Sequence, residues 1–151
     1  IMEECEKAVQ LLKSQGYNPG LVNVRFIRPM DEEMLHVLSK KYSLIVTVEE
    51  NQLIGGYGQM VSAFLHKNVC KNQLLTLGIS DYFVGHATVN EQREEAGINA
   101  DSIVKSIIDR MNYNETTFGC IVSRAGTCCV ERESKSDDHV RSRFRKRPAR
   151  R

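Results

Sequence analysis

The sequence predicts a three-layer α/β fold, in which a mostly parallel sheet is covered by helices on both faces. Two observations lead to this prediction. Helix-like and strand-like patterns alternate along residues 1–113. The most strand-like run, residues 43–48, is almost continuously apolar, which is typical of a parallel strand buried on both faces. Such alternation favours parallel strands joined by right-handed helical crossovers.

The first two elements are a helix and a strand. Residues 3–15 have apolar side chains at helical spacing, and Gly16 follows as a stop signal. Residues 21–27 form a short run rich in β-branched and apolar side chains. Turn-forming residues bound this run, with Pro19-Gly20 before it and Pro29 after it, so it predicts a strand.

The second helix begins near Asp31, which is the expected N-cap residue. Glu32 and Glu33 in its first turn suit the positive end of the helix dipole. The strand at residues 43–48 comes next and ends in an acidic segment. A glycine-rich loop at residues 52–58 separates this strand from the third helix.

Four further elements complete the pattern. Apolar spacing predicts a helix at residues 59–67, a strand at 73–77, and helices at 90–96 and 100–111. The resulting order is α-β-α-β-α-β-α-α. A doubly wound domain normally opens with a strand, so we expect that a first strand is missing. We also expect direct parallel pairing between the strands around Val24 and Val46.

The C-terminal part has a different composition. Residues 1–113 have a net charge of −3, whereas residues 114–151 have a net charge of +5 and little apolar periodicity. We therefore predict one domain at 1–113 and a basic, disordered tail at 114–151. The basic run at 141–151 could bind nucleic acid through phosphates. A solvated tail, or a stretch that results from a frame shift, is the favoured interpretation.

No cysteine pattern in the sequence indicates a metal site. The five cysteines, Cys5, Cys70, Cys120, Cys128 and Cys129, include no C-x-x-C pair. Reduced thiols of a cytoplasmic protein explain them. No apolar run is long enough for a membrane span.

Three motifs are candidates for function. Gly55, Gly56 and Gly58 nearly form a dinucleotide fingerprint, but carboxylates intervene after the strand, so close packing is favoured over nucleotide binding. Glu49 and Glu50 follow a central strand, where neighbouring side chains point to opposite sides and do not converge on one ligand. His86 is a lone loop histidine, for which a structural hydrogen bond is favoured over catalysis.

Four segments together resemble the 1-deoxy-D-xylulose-5-phosphate synthase family. They are VRFIRPMD at 24–31, VTVEEN at 46–51 followed by GGYG at 55–58, LGISDYFVGH at 77–86, and EAGINADSI at 95–103. Their order and spacing resemble the C-terminal, transketolase-type domain of that family. Met30, Ser80 and Ala87 depart from the family pattern.

This resemblance implies a part of a thiamine-diphosphate- and magnesium-dependent transferase of isoprenoid precursor synthesis. Enzymes of that family join pyruvate to glyceraldehyde 3-phosphate with loss of carbon dioxide. The resemblance implies that the cofactor lies between the other domains, and that this domain packs on them and supports a homodimer. No catalytic, cofactor-binding or metal residue is therefore expected here.

A structural or interface role is expected instead for a set of signature residues: Arg25, Asp31, Glu49, Glu50, Asn51, Gly55, Gly56, Gly58 and His86. The equivalent domain of a transketolase or of a 2-oxo acid dehydrogenase β subunit is an alternative. A free-standing docking module is another.

Overall fold

The computed structural model describes residues 1–112, 119–123 and 127–132. In chain order the elements are α1 (Met2–Ser14), β1 (Tyr17–Asn23), α2 (Glu32–Lys41), β2 (Leu44–Gln52), α3 (Tyr57–Lys67), β3 (Gln73–Ile79), α4 (Val89–Glu95), α5 (Ala100–Asn112), β4 (Gly119–Ser123) and β5 (Thr127–Arg132). The predicted order of the first eight elements is confirmed.

The five strands form one sheet in the order β1-β4-β5-β2-β3, with further pairings of β1 with β5 and of β4 with β2. β2 is parallel to β3, and β4 is parallel to both β1 and β2. β1, β2 and β3 therefore run in the same direction, and their carboxyl ends lie at one edge of the sheet. This edge is called the carboxyl edge below.

β2 is buried on both faces, as its apolar sequence predicts. Leu44, Val46 and Val48 belong to the core that α1 and α5 cover. Ile45 belongs to the second core, under α2 and α3. Because alternate residues of a strand point to opposite faces, one strand serves both layers. The predicted α/β fold with helices on both faces is confirmed.

Buried apolar side chains pack α1 against the sheet, and a hydrogen bond joins α1 to α5. In α1 the buried side chains are Cys5, Ala8, Val9 and Leu12. The Glu4 carboxylate of α1 accepts a hydrogen bond from the Ala100 backbone N–H at 2.9 Å, at the start of α5. This bond satisfies one of the free N–H groups of the α5 N-terminus and fixes α1 beside α5.

Two details of the predicted strands were wrong. β1 spans Tyr17–Asn23 rather than 21–27, so Pro19 lies inside it. Pro19 lies opposite Val130 of β5, two residues before the pairing of β1 with β4 begins at Leu21. The expected direct pairing of β1 with β2 was also wrong, since β4 and β5 lie between them in the sheet.

β4 and β5 lie in the segment for which the sequence predicts a disordered tail. At residues 119–123 and 127–132 the structure has strands instead. β-Branched and apolar residue types in these runs suit a pleated strand, and the neighbouring strands supply their hydrogen-bonding partners. The basic run at 141–151 lies outside the described residues, and for it the interpretation stays a prediction.

None of the helices in the described part of the chain combines the length and the apolar character needed to cross a lipid bilayer.

Candidate functional site

The carboxyl end of β2 holds a buried carboxylate. The Glu49 side chain lies on the α3 side of the sheet and is only 1% exposed. Its Oε2 accepts a hydrogen bond from the Tyr57 N–H at 2.9 Å, and its Oε1 accepts one from the Gly58 N–H at 3.0 Å. An acidic group at a helix N-terminus satisfies free N–H groups and interacts favourably with the helix dipole. Glu49 therefore anchors α3 to β2.

Two glycines make this close approach possible. A Cβ at Gly56 would lie 2.5 Å from the Glu49 Oε2 atom. A Cβ at Gly58 would lie 2.6 Å from the Thr76 Cγ2 atom and 2.7 Å from the Thr47 Oγ1 atom. Both distances are shorter than nonbonded atoms tolerate, so these positions need glycine. Gly55 serves the turn itself, since its φ of 77° is in the left-handed region.

Gly78 of β3 was not singled out from the sequence, although it has a related role. A Cβ there would lie 3.0 Å from the Asn51 carbonyl oxygen and 3.1 Å from the Glu49 Cγ atom. A glycine within a strand pattern is a signal for such a close approach. Asn51 itself is exposed in the last part of β2.

Glu50 points away from the buried site, as the alternation of a strand requires. Its Oε1 atom is 2.6 Å from Arg93 Nε of α4, and its Oε2 atom is 3.4 Å from the Ile1 ammonium nitrogen. Partial burial disfavours the charged Glu50 carboxylate, but the hydrogen bond from Arg93 and the two positive charges outweigh this effect. The pKa of Glu50 is therefore lowered from its ordinary value of 4.5.

Tyr57 is a buried polar residue that the sequence analysis missed. It is 1% exposed, and its hydroxyl has no hydrogen-bond partner among the described residues. Burial, followed by the negative charge of Asp31, raises the pKa of Tyr57 to about 12. The hydroxyl therefore stays protonated at neutral pH. Its position between Gly56 and Gly58 gives no sign of this burial.

The loop between β1 and α2 borders a groove. Asp31 is the N-cap of α2, and its Oδ1 accepts a hydrogen bond from the Met34 N–H at 2.9 Å, as the sequence predicts. Arg25 is exposed beside it. The groove has a volume of about 470 Å³, and its lining is mainly apolar: Asn23, Val24, Arg25, Phe26, Pro29, Asp31 and Met34.

His86 lies in the loop between β3 and α4, where it is exposed. The loop is joined to α4 by other groups. Gln92 Nε2 donates to the Gly85 carbonyl oxygen at 3.0 Å, and Thr88 forms a capping box with Glu91. His86 is placed apart from the buried Glu49 site.

The structure thus brings together Glu49, Gly56 and Gly58, and leaves Arg25 and Asp31 on the loop between β1 and α2 and His86 on the loop between β3 and α4. Within residues 1–112 and the two described C-terminal strands, no group of three or more His, Cys, Asp or Glu side chains could hold a metal ion. Both carboxylate oxygens of Glu49 are engaged by backbone N–H groups of α3, so the geometry of the site is that of a structural anchor.

The chain is similar to a known domain family and to longer proteins. The family model described as "Transketolase, C-terminal domain" matches residues 1–103. A 1-deoxy-D-xylulose-5-phosphate synthase from Caldanaerobacter subterraneus subsp. tengcongensis is 37% identical over 103 residues, covering 68% of this chain and 17% of the relative. Synthases from Aquifex aeolicus and Synechococcus sp. are 35% and 39% identical over 105 and 122 residues. Those alignments cover 70% and 80% of this chain.

The chain spans 17% to 19% of the length of these three relatives. These matches confirm the resemblance drawn from the four sequence segments. The family model covers more than half of the chain, and the α/β architecture agrees with it. The chain therefore belongs to the transketolase C-terminal domain family.

Proposed function

We propose that this chain acts as the C-terminal domain of a 1-deoxy-D-xylulose-5-phosphate synthase and supports the enzyme without carrying out its chemistry. The synthase names of its relatives support the parent activity, and the family assignment supports the domain. In this proposal the parent enzyme condenses pyruvate with glyceraldehyde 3-phosphate with loss of carbon dioxide. The chain alone has no turnover.

The hydrogen bonding of Glu49 is the observation that carries the non-catalytic role. A glycine-rich loop followed by a helix could in principle hold a diphosphate at the helix N-terminus. Here both carboxylate oxygens of Glu49 already accept from the N–H groups of Tyr57 and Gly58. A phosphate at the same place would be repelled by the buried carboxylate and would lack those donors.

Thiamine diphosphate and magnesium, which the family resemblance implies, do not fit the residues of this domain. The described residues contain no cluster of metal-ligating side chains, and the end of α3 is occupied by Glu49. We assign both groups to the remaining domains of the parent enzyme. We assign no catalytic, cofactor-binding or metal-binding residue to this chain.

We further propose that the signature residues act as an anchor and as an interface. Glu49, Gly56 and Gly58 fasten α3, while Arg25 and His86 lie on exposed loops that can contact the rest of the enzyme. The proposed partners are the remaining domains and a second subunit in a homodimer. The proposed location is the cytoplasm, and the reduced thiol of Cys70 suits a reducing compartment.

A fusion experiment tests the parent activity. The C-terminal part of the Caldanaerobacter synthase that matches this chain would be replaced by all 151 residues of the chain. We expect the fusion to form product from pyruvate and glyceraldehyde 3-phosphate with thiamine diphosphate and magnesium. The shortened synthase and the separate chain serve as controls and should form none. Turnover by the separate chain, or an inactive but folded fusion, would contradict the proposal.

A further inference from the structure

The groove between β1 and α2 has the size and the lining of a small-molecule site. Its volume of about 470 Å³ lies within the range of roughly 300–1,000 Å³ that is typical of ligand pockets. Its apolar lining comes from Val24, Phe26, Pro29 and Met34. These residues follow the end of β1 at the carboxyl edge, where open α/β sheets bind their ligands. We call this cavity the β1–α2 groove.

Two side chains of opposite charge, Arg25 and Asp31, also line the β1–α2 groove. Both are exposed, and in the described part of the chain neither forms an ion pair. The Asp31 Oδ1 atom accepts a hydrogen bond from the Met34 N–H, which leaves the Oδ2 atom available to a ligand. The groove therefore offers one positive and one negative group beside an apolar surface.

A buried hydroxyl group lies behind the β1–α2 groove. Tyr57 packs in the same apolar cluster as Val24 and Met34, and its hydroxyl has no partner among the described residues. Burial is the main cause of the raised pKa of Tyr57, and the negative charge of Asp31 adds to it, so the two side chains are close enough to interact. Buried polar groups without a partner are rare in proteins and mark places where a further polar group is expected.

The charges of the β1–α2 groove select the class of ligand. A simple carboxylate would be attracted by Arg25 but repelled by Asp31, and a simple amine would experience the reverse. An uncharged apolar molecule would cover both charged groups without pairing either of them, which is unfavourable. A zwitterion with an apolar body can pair with both groups at once through charge-assisted hydrogen bonds.

We propose that the β1–α2 groove binds a free α-amino acid with an apolar side chain. Arg25 binds the carboxylate of this ligand, and the Asp31 Oδ2 atom accepts from its ammonium group. Phe26 and Met34 contact its side chain. The inference uses residues of this chain alone and does not rest on the proposed function.

A nuclear magnetic resonance titration of the 151-residue chain tests this site. L-Leucine would be added to the isotope-labelled chain while its backbone amide signals are followed, and we expect saturable shifts centred on residues 23–34. Isocaproate, which lacks the ammonium group of leucine, and isoamylamine, which lacks the carboxylate, are the matched analogues. We expect each analogue to bind at least about fivefold more weakly, because it loses one hydrogen bond to a charged group.

Substitutions in the chain assign the two charges. Arg25→Gln and Asp31→Asn should each weaken the binding of L-leucine at least about fivefold. Asparagine keeps a capping oxygen, so α2 remains capped in the second variant. Arg28→Gln is the matched control and should leave binding unchanged, because Arg28 is exposed on the same loop but does not line the groove. Unaltered amide signals from β2 and α5 show that each variant is folded.

Three results would overturn the inference. The first is the absence of saturable shifts with both L-leucine and L-phenylalanine up to about 50 mM, a concentration that reveals even weak binding. The second is binding of either analogue as tight as that of L-leucine, which excludes recognition of a zwitterion. The third is an equal loss of binding in Arg28→Gln and Arg25→Gln. None of these measurements depends on turnover by the fusion, so this inference and the proposed function can fail separately.

Discussion

Glu49 combines three properties that rarely occur together in one side chain: a formal charge, almost complete burial and two backbone hydrogen bonds. Burial of a carboxylate is costly unless its oxygens are satisfied, so the two N–H donors are the condition for its presence. The glycines around it follow from the same requirement, because a side chain at Gly56 would occupy the space of the carboxylate.

Replacing Glu49 with Gln tests the anchor. The amide would turn a donor toward the N–H groups of α3, so one hydrogen bond is lost and a buried donor is left without a partner. We expect the free energy of unfolding to fall by about 1–3 kcal/mol. Urea denaturation of the purified chain measures it, with the exposed residue Glu32→Gln as the matched control. A loss no greater than that of the control would contradict the anchoring role.

Gly58→Ala tests the packing of α3 on the sheet. The new methyl group would lie 2.6 Å from Thr76 Cγ2. Threonine is stiff at χ1 and cannot easily yield, so we expect a loss of about 1–3 kcal/mol despite the better helix propensity of alanine. Gly85→Ala is the control, because nothing lies within 4 Å of its Cβ position. Equal Tm values for the two variants would show that the contact of the new methyl group with Thr76 does not lower the stability of the protein.

The elements differ in how far local residue patterns account for them. α2 has a mainly local description, since its N-cap and acidic first turn can be read from consecutive residues. β1 does not, because the strand lies four residues earlier than its β-branched run indicates. Its pairing partners, rather than its own propensity, determine where it begins.

Two substitutions of Asp31 test the N-cap of α2 separately from the other contacts of this helix. In Asp31→Ala the Met34 N–H loses its acceptor, and we expect the free energy of unfolding to fall by about 1 kcal/mol. Asp31→Asn keeps a capping oxygen, so its free energy of unfolding should fall by only about a few tenths of a kcal/mol. Urea denaturation compares the two variants. If they lose the same amount, the charge of Asp31 matters rather than its capping geometry.

For the molecule as a whole, β4 and β5 occupy the middle of the sheet although they follow the helix α5 in the sequence. They supply partners to both β1 and β2. Residues 119–132 lie beyond the segment that the family model matches. The described strands β4 and β5 are therefore part of the sheet of the domain.

Shortening the chain tests this integration. A chain that ends at Asn112 leaves the inner backbone groups of β1 and β2 without partners, whereas one that ends at Ser134 keeps β4 and β5. We expect the shorter chain to lose its cooperative urea transition and the longer one to keep it. Amide hydrogen exchange in β1 and β2 would locate the effect. Indistinguishable transitions would contradict a stabilising role of these strands.

The stability of the molecule should also depend on pH through Glu50. Its pKa is lowered in the folded state, so its contribution is present above the unfolded pKa of 4.5 and is lost as the pH falls through the folded value. Because the side chain is 42% exposed, we expect only about 0.5 kcal/mol. The stability difference from Glu50→Gln should be present at neutral pH and vanish in acid. A difference independent of pH would contradict this linkage.

Residue order was sufficient for the alternation of helices and strands, for the burial of β2 on both faces and for the opposed directions of Glu49 and Glu50. These properties depend on the periodicities of helix and strand, which neighbouring residues express. The partners of Glu49, the burial of Tyr57 and the order of the strands could not be obtained in this way. They depend on contacts between segments far apart in the chain, because hydrogen bonds and packing distances are set only when the layers come together.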